Sequence, residues 1–181
     1  MSVIPILDEI EGALKARLWY LALTGALLVP DICAALGDTS GKTNENKYIR
    51  WVQENQVDDL WRHQDIVKNL YKYRNAVVHQ SRLDPGHQPH VPRLMFFQPG
   101  QDPGEQQVSI HGPRFVAADG SSIGMSIDLE IFCRTMVDSA RQWLGRNSHN
   151  QIVLANIQGT IRKHPGSEFP VFSGISQPFY A

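Results

Sequence analysis

The sequence predicts a mainly α protein: a helical bundle that carries a small antiparallel β insertion between about residues 92 and 127. Apolar residues recur at threes and fours over about residues 5–28, and the same period returns over about residues 128–145. At about residue 84 the composition changes to Pro- and Gly-rich turns that separate short runs of β character. A chain of 181 residues is long enough for one sizeable core, so we predict a single domain over residues 1–181.

The first half of the chain predicts consecutive helices that together occupy about residues 5–80. The first pattern is carried by Ile6, Leu7, Ile10, Leu14, Leu18, Leu21 and Ala22. Pro30 is expected to break this helix and to open a short second one, PDICAAL, which Gly37 ends. After the polar loop GDTSGKTNEN, the run KYIRWVQEN predicts a third helix and about residues 57–80 predict a fourth.

The second half predicts the β insertion, a return to helix and an irregular end. The runs RLMFFQ, QQVSIHG and SSIGMSI predict a small antiparallel meander. Helices are then expected over about residues 128–162, with Ser126 or Asp128 as the N-cap of the first. One side of that helix carries the apolar residues Leu129, Phe132, Met136, Ala140 and Trp143. The tail, residues 165–181, is predicted to be irregular.

Composition narrows the class of protein. The formal net charge is −1, so no overall basic field attracts nucleic acid, and phosphate recognition would need a local patch. The apolar run at residues 18–29 is shorter than the ~20 residues of a membrane span, and acidic residues stand where a signal peptide would be basic. We therefore expect a cytoplasmic protein with no membrane partner. Cys33 and Cys133, each inside an apolar helical pattern, are expected to be reduced core thiols.

Two motif-like stretches favour ordinary loops. GDTSGKT, residues 37–43, has three residues where a phosphate-binding P-loop has four, and it follows a helical run instead of a strand. His87 and His90 have a metal-ligand spacing, but they lie among prolines and a glycine without a suitable acidic or cysteine partner. We predict a polar turn and a solvated loop, with no metal and no cofactor.

The stretch YKYRNAVVHQ, residues 71–80, carries the chemistry. From Ile66 to Leu83 there is no acidic residue, whereas four basic residues and a histidine occur: Lys68, Lys72, Arg74, Arg82 and His79. Such a window predicts a local site for anions, although a solvated helix face has the same composition.

Helical geometry separates two faces of this stretch. At about 100° per residue, Lys72, Asn75 and His79 share one face, with Lys68 and Tyr71 at its edge. The opposite face is apolar and consists of Ile66, Val67, Leu70, Tyr73 and Val77. Arg74 falls near the apolar side, roughly 140° from His79. A buried arginine there needs a carboxylate, a partner subunit or a phosphate. In the alternative interpretation Arg74 pairs with an acid from another helix and His79 caps the helix C-terminus.

Arg74, Asn75, three further residues and His79 spell R-N-x-x-x-H, which resembles the signature of the HEPN superfamily (higher eukaryote and prokaryote nucleotide-binding domains). The setting, late in a long helix of a small helical protein, is also similar, and the resemblance extends over roughly residues 5–145. It implies a HEPN-like helical bundle, a homodimer and a metal-independent endoribonuclease. In that mechanism His79 is the general acid/base, Arg74 contacts the scissile phosphate, and Asn75 orients His79.

The chemistry of these residue types agrees with this implication. Histidine transfers protons near neutral pH and could activate the 2′-OH of RNA, and arginine presents a charged fork to phosphate. Lys68, Lys72, Arg82 and Tyr71 are the expected RNA- and phosphate-binding residues. We therefore expect RNA as partner and a role in defence or stress response. The alternative is a non-catalytic HEPN module that binds nucleotide or RNA or assembles with protein.

One position departs from a branch of the superfamily. Toxins paired with nucleotidyltransferase antitoxins often continue H-x-Y after the histidine, whereas His79 is followed by Gln80 and Ser81. The tyrosine that such an antitoxin would modify is absent, which argues against that pairing. An unidentified antitoxin or regulatory partner remains an open expectation.

Overall fold

The computed structural model describes residues 5–55, 61, 64–80, 93–98, 114–116, 123–161, 163–164 and 179–180. The helices are α1 (Pro5–Lys15), α2 (Trp19–Leu36), α3 (Glu45–Asn55), α4 (Gln64–Gln80), α5 (Leu129–Arg146) and α6 (Gln151–Gln158). The strands are β1 (Arg93–Phe97), β2 (Arg114–Val116), β3 (Ile123–Asp128), β4 (Lys163–His164) and β5 (Phe179–Tyr180). The predicted mainly α class is confirmed.

The break in the N-terminal helical pattern lies elsewhere than predicted. α1 ends at Lys15, Arg17 takes a left-handed φ of 57°, and α2 then runs through Pro30 to Leu36 without interruption. Pro30 is buried inside α2, so packing of that helix outweighs the backbone hydrogen bond that proline removes. The expected break at Pro30 and the separate helix PDICAAL are therefore wrong.

α2 is the central helix of the bundle and contacts α1, α3, α4, α5 and α6. α1 approaches it closely at Gly25, where a Cβ atom would lie 2.7 Å from Cγ1 of Ile10. By length and composition alone α2 could cross a membrane, but half of its residues are buried in the fold. Both thiols, Cys33 on α2 and Cys133 on α5, are free and buried, as predicted.

The helices that flank the β insertion follow the predicted pattern with shifted starts. The fourth predicted helix begins only at Gln64, while Trp61 packs separately, with its ring 5.5 Å from that of Phe132. Asp128, and not Ser126, is the N-cap of α5, since its carboxylate accepts a hydrogen bond of 3.0 Å from the backbone N–H of Ile131.

The β insertion lies where it was predicted, but its topology differs from a meander. The strand order is β1-β3-β2, in which β1 runs parallel to β3 and β2 runs antiparallel to it. The expected all-antiparallel arrangement is therefore wrong. β3 takes the centre because its residues from Gly124 to Ile127 are buried, and alternation along a strand does not specify the direction of its neighbours. The predicted strand QQVSIHG lies outside the described residues.

The C-terminal region departs from the predicted irregular tail at one place. β5, Phe179–Tyr180, pairs antiparallel with β4, Lys163–His164. Residues 165–178, which make up most of that tail, lie outside the described part of the chain.

Candidate functional site

The candidate site is formed around the second half of α4. The predicted apolar face of this helix is confirmed, because Ile66, Val67, Leu70, Tyr73 and Val77 are all buried. On the opposite side His79 and Lys68 are exposed, and Lys72 and Asn75 are half-buried. The helix thus anchors itself in the core through one side and offers its polar side to solvent near its C-terminus.

Arg74 is held by a buried carboxylate from another helix. Its Nε forms an ion pair with Oδ2 of Asp31 on α2, and the side chains are only 17% and 8% exposed respectively. Of the three partners that the sequence left open for a buried arginine, the structure has the carboxylate. The pairing with an acid from another helix, expected in the alternative interpretation, is confirmed.

The distal end of the same guanidinium reaches His79. Nη1 of Arg74 lies 3.4 Å from Nε2 of His79 and donates a 2.7 Å hydrogen bond to Oδ1 of Asn75. The predicted divergence of Arg74 and His79 is therefore wrong at the level of the reacting groups. The angle of roughly 140° describes where the two side chains leave the helix, and the long arginine side chain bends across that angle.

Asn75 has a different contact from the one implied by the resemblance. Its side-chain oxygen accepts from Arg74, and among the described residues it forms no hydrogen bond with His79. Asn75 and Asp31 together hold the guanidinium at two of its nitrogens. The residue following the arginine thus orients the arginine directly and the histidine only through it.

An aromatic pair borders the guanidinium. The half-buried ring of Tyr71 lies 6.0 Å from Cζ of Arg74, and 5.1 Å from the ring of Tyr48 in an edge-on contact. Tyr48 is fully buried and donates a 3.2 Å hydrogen bond to the backbone oxygen of Leu27. Burial raises the pKa of Tyr48, so its hydroxyl stays protonated at physiological pH. Tyr71 therefore packs one side of its ring against the core.

Burial also sets the electrostatics of Asp31. Desolvation raises the pKa of this carboxyl, while the charge of Arg74 lowers it in part. The site thus draws on α2 and α4, which the ion pair of Asp31 and Arg74 joins.

The loop of residues 37–44 is a locked polar turn, as predicted. Asp38 pairs with Lys47 at 2.7 Å and accepts a hydrogen bond of 2.9 Å from the backbone of Ser40. The hydrogen bonds from Lys47 and Ser40 hold the pKa of Asp38 well below its usual range. From α6, Nδ2 of Asn156 donates to the backbone oxygens of Leu36 and Asp38, at 2.9 and 2.8 Å.

The remaining predicted site residues divide into two groups. Lys68 and Lys72 lie on the polar side of α4, about three and two turns before His79. Arg82, His87 and His90 lie outside the described residues. Within the described part of the chain, no three His, Cys, Asp or Glu residues are grouped so that they could hold a metal ion.

Asp31 is the site residue that the sequence reasoning missed. A signal was present, because Asp31 is the sole charged residue between Arg17 and Asp38, in an otherwise uncharged and mostly apolar run. A charge in a buried helix requires a partner. The acid-free window around Arg74 offers that partner.

No family model, no curated protein and no solved structure matches the chain. The resemblance to the HEPN signature therefore remains one of a short motif, R-N-x-x-x-H, in a helical setting.

Proposed function

We propose that the protein is a metal-independent endoribonuclease of HEPN type, in which Arg74 and His79 act together on one phosphodiester of RNA. One observation carries the proposal: Nη1 of Arg74 lies 3.4 Å from Nε2 of His79 at the exposed end of α4. A fixed cation beside a solvent-exposed imidazole is the pair of groups that metal-free RNA cleavage needs.

In the proposed reaction His79 removes the proton of a ribose 2′-OH. The 2′-oxygen then bonds to the adjacent phosphorus, and the bond from phosphorus to the 5′-oxygen of the next nucleotide breaks. Arg74 stabilises the negative charge that grows on the phosphoryl oxygens. The leaving oxygen takes a proton from a protonated imidazole, for which a second copy of the chain supplies its own His79. The products carry a 2′,3′-cyclic phosphate and a 5′-OH.

RNA would follow the polar side of α4. Lys68 and Lys72 occupy this side together with His79, and their ammonium groups suit phosphates on either side of the cleaved bond. Such contacts position RNA without reading its sequence. A cytoplasmic location and a role in defence or stress response are part of the same proposal.

The second candidate is a module that binds RNA or nucleotide without cleaving it. The ion pair of Arg74 with Asp31 favours this candidate, because it neutralises part of the charge that would otherwise act on phosphate. The two candidates differ in one result: both predict RNA binding that depends on α4, and only the enzyme forms shorter products.

Incubation of RNA in EDTA with the wild type and with His79→Ala tests the proposal. We expect cleavage by the wild type and a loss of about 100-fold or more in the variant. His149→Ala is the matched control, because His149 is exposed in the turn between α5 and α6. It should retain full activity. Equal cleavage by His79→Ala and the wild type would rule out the mechanism, and binding without cleavage by the wild type would favour the second candidate.

A further inference from the structure

We infer that Asp31 is a positioning residue of the site: its buried carboxylate fixes the guanidinium of Arg74 so that Nη1 faces His79. This inference rests on the proposed function but assigns a task to a residue that lies outside the R-N-x-x-x-H motif, on another helix. Asp31 itself does not contact His79 in the described structure.

The contacts of the Arg74 guanidinium support the inference. Arg74 leaves α4 near its apolar side, yet its distal nitrogen ends beside the exposed His79. The carboxylate of Asp31 forms an ion pair with Nε, and the side-chain oxygen of Asn75 accepts a hydrogen bond from Nη1. Because the guanidinium is planar, contacts at two of its nitrogens fix the direction in which the group points. Removal of Asp31 would leave Asn75 as the one described hydrogen-bond acceptor that still orients it.

The energetics of the pair point the same way. Asp31 is almost completely buried, and taking a carboxylate and a guanidinium out of water costs about as much as their mutual attraction returns. An apolar pair of similar size would stabilise the fold at least as well. The pair is therefore poorly explained by stability and well explained by the orientation that it imposes on Arg74.

The ion pair of Asp31 and Arg74 also predicts how removal of the Asp31 charge changes kcat and KM. Asp31 offsets part of the positive charge of Arg74, so its removal should not weaken ground-state binding of phosphate. Loss of orientation acts instead on the transition state, where charge on the phosphoryl oxygens is largest. We therefore expect Asp31→Asn to lower kcat about 10- to 100-fold while KM stays the same or falls.

The experiment compares Asp31→Asn with Asp38→Asn, a matched control whose carboxylate pairs with Lys47 and does not contact Arg74. The control should keep the wild-type kcat. In an Arg74→Ala background, Asp31→Asn should cause no further loss of activity, because it acts through Arg74. Wild-type kcat in a folded Asp31→Asn protein, or an equal fractional loss in both backgrounds, would overturn the inference.

Two further measurements keep the test decisive. Asp31→Glu retains the charge but displaces the guanidinium by about one methylene, so it should lower kcat even where Asp31→Asn fails to fold; full activity of Asp31→Glu would overturn the inference. If the wild type cleaves no RNA, the proposed function fails. The imidazole ¹⁵N chemical shifts of His79 still test whether Asp31 orients the guanidinium of Arg74. These shifts should change in Asp31→Asn and not in Asp38→Asn. Identical shifts in Asp31→Asn and the wild type would overturn the inference.

Discussion

At the scale of single residues, Arg74 does two things that the sequence presented as alternatives. It pairs with an acid on another helix, which is a structural contact, and it places a nitrogen beside His79, which is a contact suited to chemistry. The sequence reasoning placed both residues on the correct helix and identified its buried side. It missed Asp31 because the contact links residues far apart in the chain, and helical periodicity describes neighbours only.

The buried pair predicts a pH-dependent loss of stability in Arg74→Ala. Burial raises the pKa of Asp31, and the charge of Arg74 limits that rise, so the pKa should be higher still in the variant. A carboxyl with a raised pKa in the folded state is neutral at low pH and costs no charge burial there. The cost is absent below the unfolded-state pKa, grows as pH rises above it and is complete once pH exceeds the folded-state pKa. We expect a loss of about 2 kcal/mol near pH 7 and a smaller loss near pH 4.

Urea unfolding at both pH values measures these losses. Arg134→Ala is the control, because Arg134 forms an exposed ion pair with Glu130 within α5 and its removal should cost less than about 1 kcal/mol. The same loss for Arg74→Ala at pH 4 and pH 7 would show that Asp31 is not the charged partner of Arg74.

At the scale of elements, periodicity predicted the helices well and their breaks poorly. The helices α3, α4 and α5 fall close to their predicted positions because each has a clear apolar side. The break between α1 and α2 was placed at Pro30 on proline chemistry, whereas the chain turns at Arg17 and buries Pro30 in a continuous helix. Likewise, the alternation of apolar and polar residues located β1 and β3 but did not predict that the two strands run parallel. The relative direction of two strands depends on the path of the chain that connects them.

The left-handed turn between α1 and α2 predicts a stabilising substitution. Arg17 adopts a φ of 57°, a conformation that costs a residue with a Cβ about 1 kcal/mol and costs glycine nothing. Arg17→Gly should therefore raise the free energy of unfolding by about 0.5–1 kcal/mol. Arg50→Gly is the matched control, because Arg50 is exposed in the interior of α3, where glycine should cost about 1 kcal/mol. Denaturant titration of both variants measures the two changes in the free energy of unfolding. Destabilisation by Arg17→Gly would contradict this account of the turn.

At the scale of the whole molecule, the structure changes what a second copy would contribute to the site. The resemblance to the HEPN signature implied a homodimer, and helical geometry placed Arg74 and His79 roughly 140° apart on one helix. In the structure one copy already holds the two groups 3.4 Å apart. In the proposed mechanism a second copy has a different role, which is to supply the imidazole that protonates the leaving oxygen. Tyr71 and Val78, both half-buried beside the site, are the apolar side chains available for a contact between facing α4 helices.

We accordingly predict a homodimer as the working unit. Sedimentation velocity at micromolar concentration should show a dimer, and Val78→Asp should shift it toward monomer and lower the RNase activity, because a charge at the contact costs several kcal/mol. Lys15→Asp, an exposed position at the end of α1, is the control and should leave the dimer intact. A purely monomeric wild type with full activity would contradict the requirement for a second imidazole.

The central claim, metal-free cleavage by Arg74 and His79, is tested most directly by the chemistry of the RNA ends formed in EDTA. Mass spectrometry of a short cleaved RNA should find a 2′,3′-cyclic phosphate on one product and a 5′-OH on the other. Both products should form about 100-fold or more slowly with Arg74→Ala and with His79→Ala, while His149→Ala forms them normally. Products with a 5′-phosphate, or unchanged products from either of the two site variants, would contradict the account.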